Sequence, residues 1–355
     1  MRAALPRDVD SIYLGGGTPT VLDSQQLEHI FVTIRQEFRL LPDAEITVEC
    51  APGTLTHAIL ETLLRCGVNR VSLGVQSFVD QEAASVGRLH KRVTVCDDIA
   101  RLRAAGIANI NIDLIAGLPH QTADSWEFSL EETIAAGVPH ASVYMLEVDE
   151  DSRLGRELIA GGARYHAHFV PDDELTTDLY SAACDRLNAA GIAQYEISNF
   201  AQPGFESRHN LKYWARQPYF GFGVDAHSML RSRESAPSLN PRIQNRPGLP
   251  AAVRFSMPEQ IEHYVAGDPP ALNPVTVQGA LEESFFLGLR LNRGVNLKEL
   301  EEQFNSIPLQ SLDDVIEQTV HDGLLERSDN FIRLTARGRL LSNEVFQRFL
   351  SAAAI

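Results

Sequence analysis

Through the first two-thirds of the chain, short apolar runs alternate with longer segments whose apolar residues recur every three to four positions. The short runs predict strands at Val9 to Leu14, Glu45 to Cys50, Arg70 to Val75, Asn109 to Ile115 and Ala141 to Leu146. The longer segments predict helices. Ser24 can cap one whose apolar face is Leu27, Ile30, Phe31, Ile34 and Phe38. Others are expected from near Thr56 to Gly67, Thr94 to Ala105 and Ala123 to Ala136, and one inside Pro171 to Gly191 with Asp172 or Asp173 as its start. Tyr195 to Asn199 reads as a short returning strand.

Strands that alternate with helices imply parallel pairing through right-handed crossovers. An open doubly wound sheet and a (β/α) barrel both meet that description. The strand ends separate them. The first strand runs into Gly15-Gly16-Gly17-Thr18-Pro19-Thr20, and the next four reach Glu49, Gln76, Asp113 and Glu147. Polar groups delivered to the same end by successive strands predict a barrel mouth, whereas an open sheet concentrates its site at one switch point.

After the barrel pattern, Arg231 to Pro258 is rich in Ser, Pro, Asn and Arg and predicts an irregular excursion, with a boundary near Pro269 to Pro274. Helices are then expected over Glu282–Leu291, Leu297–Phe304 and Leu312–Asp322, a hairpin over Glu326–Leu334 and a last helix over Arg339–Phe349. That order predicts a small winged-helix-like α+β domain. The expected organisation is a barrel over residues 1–230, an irregular connection over 231–270 and the small domain over 271–355.

Composition narrows the partners. The chain has 355 residues, 44% hydrophobic, and a net charge of −16, which disfavours a nucleic-acid backbone as partner. From Glu282 to Ile355 there are eight Lys and Arg against twelve Asp and Glu, so the winged pattern is not read as DNA-binding. No apolar run has membrane-spanning length, and Met1-Arg2-Ala3-Ala4-Leu5-Pro6 leads into a polar stretch rather than a signal peptide, so a cytoplasmic protein is expected. Cys50, Cys66, Cys96 and Cys184 form no CxxC pair and read as buried thiols.

Several positions carry candidate chemistry. The glycine turn exposes main-chain groups that can cradle a phosphate or the charged ends of an amino acid, or it is a plain tight turn; it lacks the Lys-Ser/Thr of a P-loop. Glu49 can hold ribose hydroxyls or be a solvated strand end. Gln76 and Asp113 share that ambiguity singly and favour a site together. Arg88 can pair with a ligand carboxylate. His209, with Tyr213 and Trp214 nearby, can ligate heme iron and cover a porphyrin face, or simply pack. His227 reads as structural.

Taken in order, these pieces resemble the heme chaperones related to oxygen-independent coproporphyrinogen oxidase, within the radical S-adenosylmethionine (SAM) superfamily. The resemblance rests on Gly15-Gly16-Gly17-Thr18-Pro19-Thr20, Glu45 to Glu49, Gly67 to Phe78, Gly87-Arg88-Leu89-His90, Ile112 to Pro119, Tyr195 to Ala201, and His209-Asn210 with Tyr213-Trp214, and it continues at Leu334-Thr335, Gly338 and Leu341 to Glu344. It implies a partial six-stranded (β/α) barrel of which five units are visible, Gly16, Gly17, Thr18, Glu49, Gln76, Arg88 and Asp113 as SAM contacts, and His209 as the heme-ligand candidate. It further implies a [4Fe–4S] cluster on a Cys-x-x-x-Cys-x-x-Cys loop. That loop is absent from this sequence, so the first βα unit is expected to be missing, through a late start or a fragment, with a naturally cluster-free relative as the alternative. Met1 to Leu5 reads as the tail of that unit's helix. The open edge left at Ile12 and Leu14 predicts self-association, a homodimer among the outcomes. The implied function is heme binding and delivery to an acceptor protein. The alternative is radical oxidative decarboxylation of coproporphyrinogen III.

Overall fold

The computed structural model describes residues 7–147, 156, 167–231, 250–304 and 312–352. Expectations about Met1 to Leu5 lie outside them. Strands β1 (Arg7–Leu14), β2 (Phe38–Cys50), β3 (Arg70–Gln76), β4 (Asn109–Ala116) and β5 (His140–Met145) pair in parallel and in chain order. Between them run α1 (Ser24–Glu37), α2 (His57–Arg65), α3 (Asp80–Ser85), α4 (Arg92–Ala104) and α5 (Ala123–Ala135). Right-handed crossovers that always step the same way put every connecting helix on one face of the sheet. A doubly wound sheet would need the order to reverse. This is the winding of a partial barrel, as the strand ends implied.

The strands show why the other face matters. Ile12, Val48, Leu73, Ile112 and Val143 are buried on the helix side, with Phe31, Leu63, Leu102 and Leu130 among the buried residues of the covering helices. The alternate positions are polar: Tyr13, Glu49, Ser72, Asn111, Asp113 and Ser142. Parallel strands covered on both sides ordinarily read as continuous apolar runs. Here the concave side is a polar interior.

Several local expectations are corrected. Asp23, not Ser24, caps α1: its carboxylate accepts from the Gln26 amide at 2.8 Å and Gln26 Oε1 accepts from the Asp23 amide at 3.0 Å. Phe38 leaves the helix to begin β2, because its backbone pairs with Arg7 in β1. The segment Tyr195 to Asn199 is not one strand. It is the turn between β6 (Ala193–Gln194) and β7 (Asn199–Ala201), which follow α6 (Asp173–Ala189) and pair antiparallel, β7 against β5. The Tyr195 amide donates to the Asn199 carbonyl at 3.1 Å, so local bonding wins over extension.

The chain divides into two compact units, the first closing at His209 and the second opening at Asn210. Helix α7 (Arg208–Trp214) straddles that point in sequence. The expected boundaries at 230 and 270 both fall within the second unit. The stretch expected to be irregular carries β9 (Ala252–Ser256) and α8 (Ile261–Ala266), and β9 lies between β8 (His227–Arg231) and β10 (Ala271–Val275) in an antiparallel sheet. Residues 232–249 of that stretch lie outside the described residues. The pairing partners on both sides of β9 supply what its mixed Ala-Val-Arg-Phe-Ser sequence does not advertise.

The remainder of the second unit has winged-helix order: α9 (Val277–Gly288), β11 (Val295–Asn296), α10 (Leu297–Gln303), α11 (Asp313–His321), then β12 (Leu325–Ser328) and β13 (Phe331–Leu334). Helix α9 starts earlier than expected because Thr276 caps it, its hydroxyl accepting from the Gly279 amide at 3.0 Å. The final helix is two, α12 (Ala336–Leu340) and α13 (Ser342–Ala352). Phe285 and Phe349 stack at 5.0 Å in the core. Gly294 sits where a β-carbon would come 2.0 Å from the Ile332 carbonyl oxygen, so the strand pairing requires glycine there. No helix among the described residues is long and apolar enough to cross a membrane.

Candidate functional site

At the carboxyl ends of the parallel strands the concave face opens into a cavity of about 230 Å³. It brings together Gly17, Thr18, Glu49, Gln76, Arg88 and Asp113, with Tyr13, Ser72, Gly74 and Tyr144 completing much of the wall. Gly16 joins them through its amide, which donates to Glu49 Oε2 at 3.2 Å. Glu147 lies past the end of β5 and is exposed, outside this wall.

Local structure explains the convergence. A β-carbon on Gly15 would meet the Tyr13 ring and the Glu49 carboxylate at 2.7 and 2.8 Å, and Gly16 has a φ of +83°, so the turn after β1 can lie against Glu49 only without side chains. Gln76 ends β3 at a break in pairing with β4 and holds a φ of +69°, a backbone conformation that costs a non-glycine residue about 1 kcal/mol. Arg88 follows α3, a helix not expected from the sequence, whose closing turn at Gly87 brings the Arg88 amide to the Ala83 carbonyl at 3.0 Å. The Arg88 guanidinium and the Gln76 amide both lie over Gly74, where an added β-carbon would stand 3.2 Å from Gln76 Nε2.

Two carboxylates and one guanidinium therefore face one space. Glu49 also accepts from the Tyr13 hydroxyl at 2.8 Å, yet burial pushes its carboxyl above the usual range. Burial likewise raises Asp113, against hydrogen bonds from Ser72 Oγ at 2.9 Å and Asn111 Nδ2 at 2.7 Å. The arrangement offers acidic acceptors for vicinal hydroxyls, main-chain groups of a glycine turn for an ammonium or carboxylate, and a cation for a carboxylate.

Below the cavity the polar face continues as a buried network. Asn111 Nδ2 also lies 2.7 Å from Ser72 Oγ and 3.0 Å from Ser142 Oγ, and its Oδ1 lies 2.6 Å from His140 Nδ1. His140 Nε2 reaches the Tyr195 hydroxyl at 2.9 Å, and burial holds this imidazole well below its ordinary pKa, hence neutral. Arg70 is 2% exposed, and its Nε has no hydrogen-bond partner among the described residues. Thr47, its register partner on β2, has an equally unpartnered buried hydroxyl. Burying a cation is costly unless it is paired, and the field of Arg70 reaches Asp113, His140 and His209.

His209 is tied to the same face. Buried Glu45 accepts from the amides of Arg208 and His209 at 3.0 and 2.9 Å and so anchors the start of α7. The ring stacks on Tyr13 at 5.0 Å, and Nδ1 lies 3.3 Å from Ser11 Oγ. Tyr13 thus has its hydroxyl on Glu49 and its ring on His209. Burial first, and Arg70 second, hold the His209 pKa down to about 4. Tyr213 and Trp214 belong to the second unit. Tyr213 meets Tyr219 edge-on at 4.5 Å, and the Arg290 guanidinium covers Trp214 at 4.4 Å. His227 is exposed, paired through its backbone with Ser256.

Cys50 and Cys66 are buried as expected, but Cys96 is exposed on α4 and Cys184 is half-buried. Among the described residues no three His, Cys, Asp or Glu side chains gather as metal ligands, so an iron–sulfur cluster does not fit them. Tyr13, Arg70, Asn111, His140 and Tyr195 were not singled out from the sequence. The signal that carried Tyr13, Arg70, Asn111 and His140 was polar residues at alternate positions within the strands; Tyr195, in a turn, carried none.

Residues 1–132 match the radical SAM superfamily and residues 275–341 the HemN C-terminal domain. The chain is 36% identical over 348 residues to the heme chaperone HemW of Bacillus subtilis, covering 97% of this chain and 86% of that protein. It is 33% identical over 344 residues to the heme chaperone HemW of Lactococcus lactis, covering 96% and 84%. Among solved structures, the coproporphyrinogen III oxidase HemN of Escherichia coli, a radical SAM enzyme, superposes with a TM-score of 0.78 at 22% identity over 96% of this chain and 78% of that one. That last likeness establishes a shared fold.

Proposed function

Because the chain belongs to the heme chaperone HemW family within the radical SAM superfamily, we propose that it binds SAM and heme and delivers heme to an acceptor protein in the cytoplasm. The observation that carries the SAM part is the cavity in which Glu49, Gln76, Arg88 and Asp113 meet the Gly16–Thr18 turn. SAM bound there supplies a sulfonium cation and an amino-acid end. Glu49 and Asp113 accept from the ribose hydroxyls and offset the positive charge. Carbonyls of the glycine turn take the ammonium group, Arg88 takes the carboxylate, and Gln76 closes the wall over Gly74. The described cysteines do not come together as a ligand set, so no cluster-dependent step is assigned to them.

For heme, His209 is the proposed axial ligand. The Ser11 hydroxyl, 3.3 Å from Nδ1, orients the ring. A pKa near 4 keeps the imidazole neutral and ready to ligate across the physiological range. Tyr213 and Trp214 are proposed as aromatic tetrapyrrole contacts within the second unit. Decarboxylation of coproporphyrinogen III, the alternative, has behind it the fold shared with HemN and the HemN C-terminal domain match.

Calorimetric titration with SAM and Soret titration with hemin test the two halves separately. The proposal expects saturable binding of both ligands, with Asp113→Asn weakening SAM and His209→Ala altering the Soret band. Absence of hemin binding by the wild-type chain overturns the chaperone reading.

A further inference from the structure

The second unit holds a cavity that the SAM and iron assignments leave unused. Its volume is about 170 Å³, and its wall includes Tyr213, Trp214, Arg216, Tyr219, Met229 and Arg254. The wall is largely apolar but carries surplus positive charge. Arg216 Nε donates to one oxygen of Glu283 at 2.6 Å, and Arg254 Nε to the other at 3.0 Å, so one carboxylate faces two guanidiniums. The side chains of Arg216 and Glu283 are 9% and 14% exposed, which leaves little water to screen the imbalance.

Trp214 and Arg216, both residues of this wall, each carry an N–H group, Nε1 and Nη2, that is buried with no hydrogen-bond partner among the described residues. Buried donors lacking acceptors are rare in folded proteins and call for a bound acceptor. The backbone adds a second line. Arg216 has a φ of +50° where α7 closes, its amide donating to the Tyr213 carbonyl at 3.0 Å and the Gln217 amide to the Lys212 carbonyl at 2.9 Å. That paired helix ending ordinarily takes glycine. An arginine held there against backbone preference, with its guanidinium turned into the unit, is placed for its side chain and not for the turn.

We infer that this cavity receives a carboxylate carried on a planar apolar ligand, the propionate arm of a tetrapyrrole, with Trp214 Nε1–H and Arg216 Nη2–H as donors. The inference rests on the tetrapyrrole reading above. A carboxylate matches both orphaned donors and the excess charge, and the aromatic rings and Met229 suit the hydrocarbon from which the arm extends. At about 170 Å³ the space lies below the roughly 300 Å³ from which pockets enclose whole drug-sized ligands, so it takes an arm and not the macrocycle.

The test uses metal-free protoporphyrin IX, which needs no axial ligand, and its dimethyl ester, which lacks the charge. Both are titrated by porphyrin fluorescence against the wild-type chain, Arg216→Gly and Trp214→Phe, with thermal melts of each. Glycine suits the left-handed position, so Arg216→Gly should keep the fold, and Trp214→Phe carries the test if it does not. The wild type should bind the free acid at least tenfold tighter than the diester. Each variant should shrink that preference below threefold, chiefly by weakening the free acid. Equal binding of acid and diester by the wild type, or an undiminished preference in both variants, overturns the inference and leaves heme binding standing. Failure of the wild type to bind either porphyrin, together with failure to bind hemin, removes the tetrapyrrole reading itself.

Discussion

If His209 ligates iron, protons and iron compete for the same imidazole, and the structure sets how strongly protons compete. An imidazole at its ordinary value of 6.5 is protonated about 30 to 1 at pH 5, which costs a ligand about 2 kcal/mol of apparent affinity relative to its neutral form. With the pKa near 4, His209 is about one-tenth protonated at pH 5, and the loss is negligible. Hemin affinity is therefore expected to be flat from pH 7 to pH 5 in the part that His209→Ala abolishes. Soret titrations of both proteins at pH 7, 6 and 5 isolate that difference. A fall that sets in near pH 6.5 and reaches roughly 30-fold at pH 5, present in the wild type and gone in the variant, would refute the reasoning. Stability gives the matching sign. The folded pKa lies below the unfolded one, so the stability that neutral His209 supports is complete above pH 6.5 and lost as pH falls through about 4. The loss is at most about 3 kcal/mol, and less where solvent reaches the ring. Urea melts of wild type and His209→Gln across that window should converge as pH drops.

Other positions give independent outcomes. Arg70→Met removes a buried cation whose Nε lacks a hydrogen-bond partner among the described residues, and should move the His209 pKa upward in proton NMR; an unchanged value would mean that burial alone depresses it. Asp113→Asn should weaken SAM by about 10- to 100-fold, the scale of a charged hydrogen bond, while wild-type affinity should fall as acidification protonates the raised Glu49 and Asp113 carboxyls; calorimetry that shows neither would count against their role. Gly74→Ala puts a β-carbon 3.2 Å from a movable Gln76 amide, so it should cost SAM affinity with little change in melting temperature. Gly294→Ala meets a fixed carbonyl in the left-handed region and should destabilise the second unit by on the order of 2–4 kcal/mol, read by differential scanning calorimetry.

The barrel was legible because its signal is local and repeated. Apolar runs of strand length, each ending in a polar residue, specify both the winding and the end at which the site lies, so Glu49, Gln76 and Asp113 were found together. The network beneath them was harder to see. Arg70, Asn111 and His140 stand at alternate positions among residues such as Val71, Ile112 and Ala141, and the identity of a strand's buried face is settled by what covers it. Tyr195 to Asn199 misled because a four-residue turn with bonded side chains has the same composition as a short strand. Strand β9 was hidden for the opposite reason, since its pairing comes from neighbours distant in sequence. His209, Tyr213 and Trp214 read as one motif, but the partners of His209 are Ser11, Tyr13 and Glu45, all far away along the chain.

The central claim is that this chain carries heme through His209. Hemin titration of the purified protein followed by gel filtration tests it directly. The account predicts a saturable complex that survives filtration, with a Soret band that shifts when His209 is replaced by Ala and is retained when the exposed His227 is replaced by Ala. Hemin that separates from the wild-type protein on the column, or a His209→Ala complex with unchanged spectrum and affinity, would contradict it.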